Sequence, residues 1–397
     1  MQVISSAIQK QMEGASWIRR MFEKGLELKA QFGAENVFDF SLGNPDLPPP
    51  PKVREMLPAL AEQAAKPMAF GYCPNAGLPA LREALAAMLS RQQGVALAAQ
   101  NVVVTCGAAG ALTSFFRAVI EPGDEVLSPA PCFVEYGAYC GHFGGTLKTV
   151  PSLLPSFQLD VAALEAAVTD KTRAILINSP NNPTGCVYPQ ADLVRLGQLI
   201  DRVNATRQRP LYLVSDEPYR FLAYDGLTVP PMLPVSPFTL VVGSFSKSLS
   251  LAGERIGYIA AAPAMPDAAL LMNAVTMTNR SLGFVNAPII GQRIAMGLLD
   301  EGVDLSVYAR RREAMAKVLT DAGIAFTMPQ GAFYFFPQAP GGDDLAFTDA
   351  LLRHNVLAVP GRGFGLPGYF RLSFSVEDHV ITGSAAGFAA AAAEMTQ

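Results

Sequence analysis

Residues 244–257 read SFSKSLSLAGERIG, placing one lysine, Lys247, among serine hydroxyls and a few positions before an arginine, Arg255. An amine in such company can act as a nucleophile or a base, while hydroxyls and a guanidinium can hold an anion. Three further polar clusters stand where apolar runs end: CGAAGAL at 106–112, NNPTG at 181–185 and DEPY at 216–219. The first is a glycine turn opening a helix, whose free N–H groups at Ala108 and Ala109 suit a phosphate. The others contribute an amide, Asn182, and a carboxylate, Asp216. Taken singly, each has an ordinary reading. Asn-Pro and Thr-Gly are turn dipeptides, a lone lysine is usually solvated, and an aspartate after a strand can cap a helix.

The elements that must position these groups follow from the periodicity. Seven β-rich runs begin near residues 101, 124, 145, 173, 211, 238 and 255, and amphipathic stretches such as ADLVRLGQLIDRVNA (191–205) lie between several of them. This alternation predicts an α/β fold with a mostly parallel seven-stranded sheet wrapped by helices. In such sheets functional groups gather beyond the carboxyl ends of the strands, where the four clusters fall. After about residue 290 the texture changes to a helix over 305–323, short strands near 332–337, 356–360 and 369–375, and an Ala-rich closing helix. The expected division is an N-terminal arm with part of a small domain (1–46), a large domain (47–290) and a small α+β domain (291–397). NPDLPPPP at 44–51 reads as a rigid turn between domains.

Composition narrows the class of function. The chain has 397 residues, half of them apolar, a net charge of −4 and no Lys/Arg-rich run, so nucleic acid and anionic membrane are excluded as partners. No signal-peptide core and no bilayer-length apolar run is present, which points to the cytoplasm. The five cysteines (73, 106, 132, 140 and 186) lack paired spacing and read as reduced, mostly core thiols, and His142, His354 and His379 lack metal-ligand spacing. No metal is expected. Trp17 and the MNAVTM stretch at 272–277 read as core or interface.

In order along the chain, GNPD (43–46), GYCPNAG (71–77), NNPTG, DEPY, SFSKSLSLAGERIG and FRLS (370–373) resemble the class I/II aminotransferases, pyridoxal phosphate enzymes of fold type I. The resemblance implies that Lys247 forms an imine with the cofactor aldehyde and then moves the Cα proton. It implies that Asp216 keeps the pyridine nitrogen protonated, that Tyr219 and Asn182 bond the cofactor's phenolic oxygen, and that Phe133 stacks on its ring. Ser244, Ser246, Arg255 and the N–H groups of Ala108 and Ala109 match the phosphate contacts. Tyr72 matches a tyrosine reaching the phosphate of the neighbouring subunit, which implies a homodimer. Arg371, with Asn182 and the Gly43 backbone, matches the grip on the substrate α-carboxylate.

The implied reaction is a ping-pong transfer of an amino group from an L-amino acid to a 2-oxo acid such as 2-oxoglutarate. Some aspartate-preferring relatives carry a lysine in the glycine turn, where this chain has Ala109 and Gly110. Arg280, reaching across from the neighbouring subunit, is the remaining candidate cation for a distal carboxylate, with a surface or interface arginine as the ordinary reading, so aspartate and a broad donor range both stay open. A carbon-sulfur β-lyase on the same fold and a non-catalytic cofactor-binding regulator are the alternatives.

Overall fold

Seven strands pair into one sheet in the order β2-β8-β7-β6-β5-β3-β4. They are β2 (Val102–Cys106), β3 (Glu125–Ala130), β4 (Thr146–Pro151), β5 (Thr172–Asn178), β6 (Tyr212–Asp216), β7 (Thr239–Ser244) and β8 (Ile256–Ala261). The computed structural model describes residues 3–6, 8, 9 and 17–395; the rest of the expected N-terminal arm, residues 1, 2, 7 and 10–16, lies outside the described residues. Neighbours run parallel from β4 to β7, whereas β8 is antiparallel to both β7 and β2. For β7 and β8 the reason lies in the short 245–255 connection, which holds one α-helical turn and one 3-10 turn and lacks the crossover helix that a parallel return needs.

The central strands are buried on both faces, which explains their continuous apolar runs. Side chains alternate between two cores: Ile175 and Ile177 pack with Leu81, Leu196 and Ile294, and Leu176 packs with Phe115, Val242 and Val275 on the opposite face. A third core, around Phe40, Phe333, Phe335, Phe347 and Phe374, belongs to the C-terminal part. There the strand β1 (Phe38–Asp39) pairs in parallel with β10 (Val356–Leu357), so the N-terminal segment joins the C-terminal one. The run at 356–360 is not one strand as its pattern suggests. Its second half, β11 (Val359–Pro360), pairs with β12 (Phe370–Ser373), which in turn pairs with β9 (Tyr334–Phe335). All five residues are buried because the run serves two sheets in succession.

Sequence texture places the change of domain at 290, but the helix Ile289–Met296 packs on Lys52–Ala64, Pro79–Gln93 and β8. The long helix Leu305–Asp321 packs instead on the two closing helices. Among the described residues no helix is long and apolar enough to cross a membrane. Trp17 and Met272 pack against or within the cores, as expected, while Met277 is 64% exposed.

Strand register now fixes what meets what. Asn178 pairs with Asp216, and Asp216 with Val242, so the last residues of β5, β6 and β7 share one edge. Helix Gln190–Asn204 is pressed so close to the loop before β7 that a Cβ on Gly197 would lie 2.1 Å from the Val235 carbonyl oxygen. Gly197→Ala is expected to cost about 1–3 kcal/mol through overpacking. Gly141→Ala, which meets nothing within 4 Å, should stay within about 0.5 kcal/mol of the parent. Urea unfolding of both variants checks this, and equal stabilities would refute the close approach.

Candidate active site

A cavity of about 580 Å³ opens beyond the carboxyl ends of β5, β6 and β7. Its lining brings together twelve of the fourteen residues expected from sequence. The sheet edge contributes Asn182, Asp216, Tyr219, Ser244, Ser246, Lys247 and Arg255; the glycine turn contributes Ala108 and Ala109; the segment after β3 contributes Phe133; Gly43 and Arg371 come from the chain's two ends. The described residues hold no cluster of side chains suited to a metal.

Asp216 ends β6 with its carboxyl buried. Oδ2 accepts a 2.6 Å hydrogen bond from the Tyr136 hydroxyl, whereas Oδ1 is buried with no partner. Burial pushes the Asp216 carboxyl up to about 7; the Tyr136 bond works against that rise, and the Glu217 carboxylate behind it adds to it. A cationic N–H facing Oδ1 would restore the charged form. Asn178 braces the same spot from β5. Its Nδ2 donates to the Asp216 carbonyl at 2.7 Å, and its Oδ1 accepts from the Asn182 N–H at 2.6 Å, tying the strand end to the NNPTG turn.

Lys247 follows β7 on one helical turn, Phe245–Ser248, capped by the Ser244 hydroxyl, which accepts from the Ser246 N–H at 3.0 Å. Its Nζ donates to the Gly43 carbonyl at 2.6 Å. Burial, then the Arg371 and Arg255 charges, lowers the Lys247 ammonium from 10.5 to about 8. The amine is thus within reach of its neutral, nucleophilic form near physiological pH.

Anion donors gather beside it. Ser244 donates to Ser246 Oγ at 2.8 Å, and Arg255, in the left-handed region at φ 54°, anchors Nη1 on the Ala252 carbonyl at 2.9 Å. The guanidinium lies so near the start of helix Gly107–Val119 that a Cβ on Gly107 would sit 2.8 Å from Nη2. Gly107 also has φ +71°, so glycine is required there on two counts. Unpaired N–H groups at that helix start, two hydroxyls and a guanidinium make a cradle for a phosphate.

Arg371 leaves β12 fully buried. Its Nη2 donates to the Ser41 carbonyl at 2.5 Å and its Nη1 to Asn182 Oδ1 at 3.2 Å, while Nε has no partner. The guanidinium rests on the Tyr334 and Phe364 rings, each centroid 4.9 Å away. The Tyr334 hydroxyl shares a 2.7 Å hydrogen bond with that of Tyr219. A Cβ on Gly43 would fall 2.0 Å from the same hydroxyl oxygen, so glycine is needed at 43 as well.

Two expected residues stay outside. Tyr72 is 88% exposed beside Phe284 and Val285, and Arg280 is exposed near the end of helix Ala268–Ser281. Sequence reading also missed three residues. Asn178 was within reach of the strand-end rule, being the last residue of β5. Tyr136 begins a short helix after β3, and Tyr334 sits in the apolar run AFYFFP, so neither carries a local signal that separates it from core. A second hollow, of about 500 Å³, backs onto Pro218 and Ser244, but the Glu217–Arg220 pair in its wall is satisfied internally.

A model of the family aminotransferase class I and II matches residues 35–384. A probable aspartate/prephenate aminotransferase of Aquifex aeolicus is 33% identical, the match covering 91% of this chain and 92% of that protein. The aspartate/prephenate aminotransferase of Thermus thermophilus is 32% identical, over 89% of this chain and 90% of that one. Among solved structures, an amino transferase from Eubacterium rectale superposes with a TM-score of 0.95 at 36% identity, covering 100% of both chains. The Thermus thermophilus aspartate aminotransferase with maleate superposes with a TM-score of 0.87 at 30% identity, covering 98% of this chain and 100% of that one.

The depressed Lys247 ammonium has a measurable consequence. Only the neutral amine reacts with acetic anhydride, a reagent that does not itself titrate, so in cofactor-free protein the rate of trace acetylation of Lys247, followed by peptide mass spectrometry, should rise with pH through a midpoint near 8. Removing a nearby positive charge with Arg255→Gln should move that midpoint upward. A wild-type midpoint at the ordinary lysine value of 10.5 would sink this account of the site.

Proposed function

The chain belongs to the class I and II aminotransferases, and from that premise we propose that Lys247, Asp216 and Arg371 carry the transfer of an α-amino group from an L-amino acid to a 2-oxo acid. The enzyme is pyridoxal phosphate-dependent, like its family. When bound, that cofactor supplies an aldehyde that captures the amino group and a ring that takes up the electron pair left at Cα. One observation carries the assignment: two residues that line the cavity with Lys247 each bury a polar atom that has no partner among the described residues, and the two atoms, Asp216 Oδ1 and Arg371 Nε, are of opposite character. An acceptor awaits a ring N–H, a donor awaits a carboxylate, and an amine shares their cavity.

In this reading Lys247 Nζ takes the Cα proton and returns it on the far side of the transfer, a task suited to an amine whose pKa is about 8. Asp216 holds the ring N–H at Oδ1, and Tyr136 and Asn178 keep its carboxylate in place. Tyr219, braced by Tyr334, donates to the cofactor's phenolic oxygen; burial raises its pKa well above 10.0 and so keeps the hydroxyl protonated. Ser244, Ser246, Arg255 and the N–H groups of Ala108 and Ala109 bind the phosphate, and Phe133 covers the ring. Arg371, steered by Asn182 and Ser41, pairs with the substrate α-carboxylate.

We also propose a homodimer in which Tyr72 serves the neighbouring site, because that aromatic side chain is exposed and stands outside its own cavity. Cysteine usage supports a cytoplasmic setting, since all five cysteines are unpaired. The division of the chain into a large and a small domain is likewise a proposal, drawn from the core around Phe333, Phe347 and Phe374; the two parts share packing, since Val359 and Tyr369 join the core of the large sheet and Tyr219 and Leu222 join the C-terminal one.

Lys247→Ala should abolish amino transfer yet still bind the cofactor, with no cofactor left attached after borohydride reduction. Asp216→Ala should lower kcat by a factor on the order of 10² or more while leaving the KM for the amino donor little changed, as fits a group whose interaction grows in the transition state. Transfer within a few-fold of wild type in either variant would refute its assigned role. For the assembly, mixing Tyr72→Phe with Lys247→Ala should restore part of the activity, because one site of each mixed dimer carries neither lesion. No recovery despite subunit exchange would place Tyr72 in its own subunit's service.

A further inference from the structure

The cavity wall that does not hold the reacting groups decides which side chain a substrate can bring. Phe22, Leu42 and Leu112 add apolar surface to the lining, and Phe22 and Leu42 are each 40% exposed. Glu135 lines the cavity too, and among the described residues it is, besides Asp216, the only carboxylate in the lining. Among the described residues its carboxylate makes no hydrogen bond or ion pair; only its backbone carbonyl is engaged, accepting from the Tyr139 N–H at 3.0 Å.

The cations of the cavity are Lys247, Arg255 and Arg371. In the transfer reading each is already committed, to the proton, the phosphate and the α-carboxylate. This chain's own lining leaves none for a second carboxylate. The glycine turn offers Ala109 where a lysine would be needed, and Arg280, exposed and outside this chain's cavity, is a cation that only the neighbouring subunit of the proposed dimer would bring. On this chain's side of the site a distal carboxylate would meet apolar surface and a like charge, whereas methylenes would find apolar cover and a distal ammonium would find a partner.

Resting on the transfer reading, we infer that Glu135 is a specificity-determining residue that turns away acidic side chains, so that the enzyme takes amino donors with apolar or basic side chains. The same wall meets the oxo acid, which makes a monocarboxylic 2-oxo acid a faster acceptor than 2-oxoglutarate.

The test uses holoenzyme and two readouts. In single-turnover half-reactions with one donor at a time, kcat/KM for aspartate and glutamate should lie at least about tenfold below that for leucine, phenylalanine and lysine. Glu135→Gln should raise the aspartate-to-leucine ratio by about tenfold and lower the lysine-to-leucine ratio. Independently of turnover, absorbance titrations should show succinate binding more weakly than pentanoate to wild type, with Glu135→Gln narrowing the gap. Aspartate as the best wild-type donor, or ratios unmoved by Glu135→Gln, overturns the inference while leaving amino transfer intact. If no donor reacts but the succinate and pentanoate titrations behave as stated, amino transfer falls and charge selection by Glu135 stands.

Discussion

Keeping Lys247 and Asp216 out of water is the constraint around which the rest of this structure is arranged. Desolvation disfavours a lone charge of either sign, so it lowers the lysine to about 8 and raises the aspartate to about 7. Both groups are thereby brought near neutrality, where an amine can exchange a proton and a carboxyl responds to a cation beside it. The same burial at an exposed strand end would be impossible without cover, and the cover comes from the N-terminal segment and the C-terminal sheet. Gly43 approaches Lys247 from one, and Arg371 and Tyr334 come from the other.

Precision in the site comes from residues one step removed. Tyr136 holds one Asp216 oxygen and leaves the other free, Asn178 links the ends of β5 and β6 to the NNPTG turn, and Tyr334 fixes both Tyr219 and the face of Arg371. Each uses its polar group on a buried partner, where an unmade hydrogen bond would cost about 1–3 kcal/mol. The atoms left without partners are then informative. Of the buried polar atoms that have no partner among the described residues, Asp216 Oδ1 and Arg371 Nε belong to residues of the cavity lining, and in the proposed reading a bound molecule completes them.

Side-chain selection is a separate layer on this common frame. The relatives that match most of the chain are named for aspartate and prephenate. In the proposed reading, Glu135 and the apolar side chains of Phe22, Leu42 and Leu112 bias this cavity toward apolar or basic substrate side chains. A fold that fixes the reaction can vary its substrate through a few wall residues, because those contacts act on the side chain and not on the reacting atoms.

The sequence by itself determined the sheet and which polar residues gather at its edge. Strands buried on both faces must be continuous apolar runs, and the polar residues that end them fall at one edge whatever the details, so Lys247, Asp216, Asn182 and the glycine turn were legible as a set. Only the tertiary structure decided that 356–360 serves two sheets, that the helix at 289–296 stays with the large sheet, and that Tyr136 and Tyr334 face the site. Aromatic residues in apolar runs look alike until their hydroxyls meet partners far away in the chain. Tyr136 reaches Asp216, and Tyr334 reaches Tyr219, across separations that no local pattern encodes. Glu135 is the same case with the opposite sign. Its charge is visible in the sequence, but its lack of a partner among the described residues, and the cavity it lines, come from the fold alone.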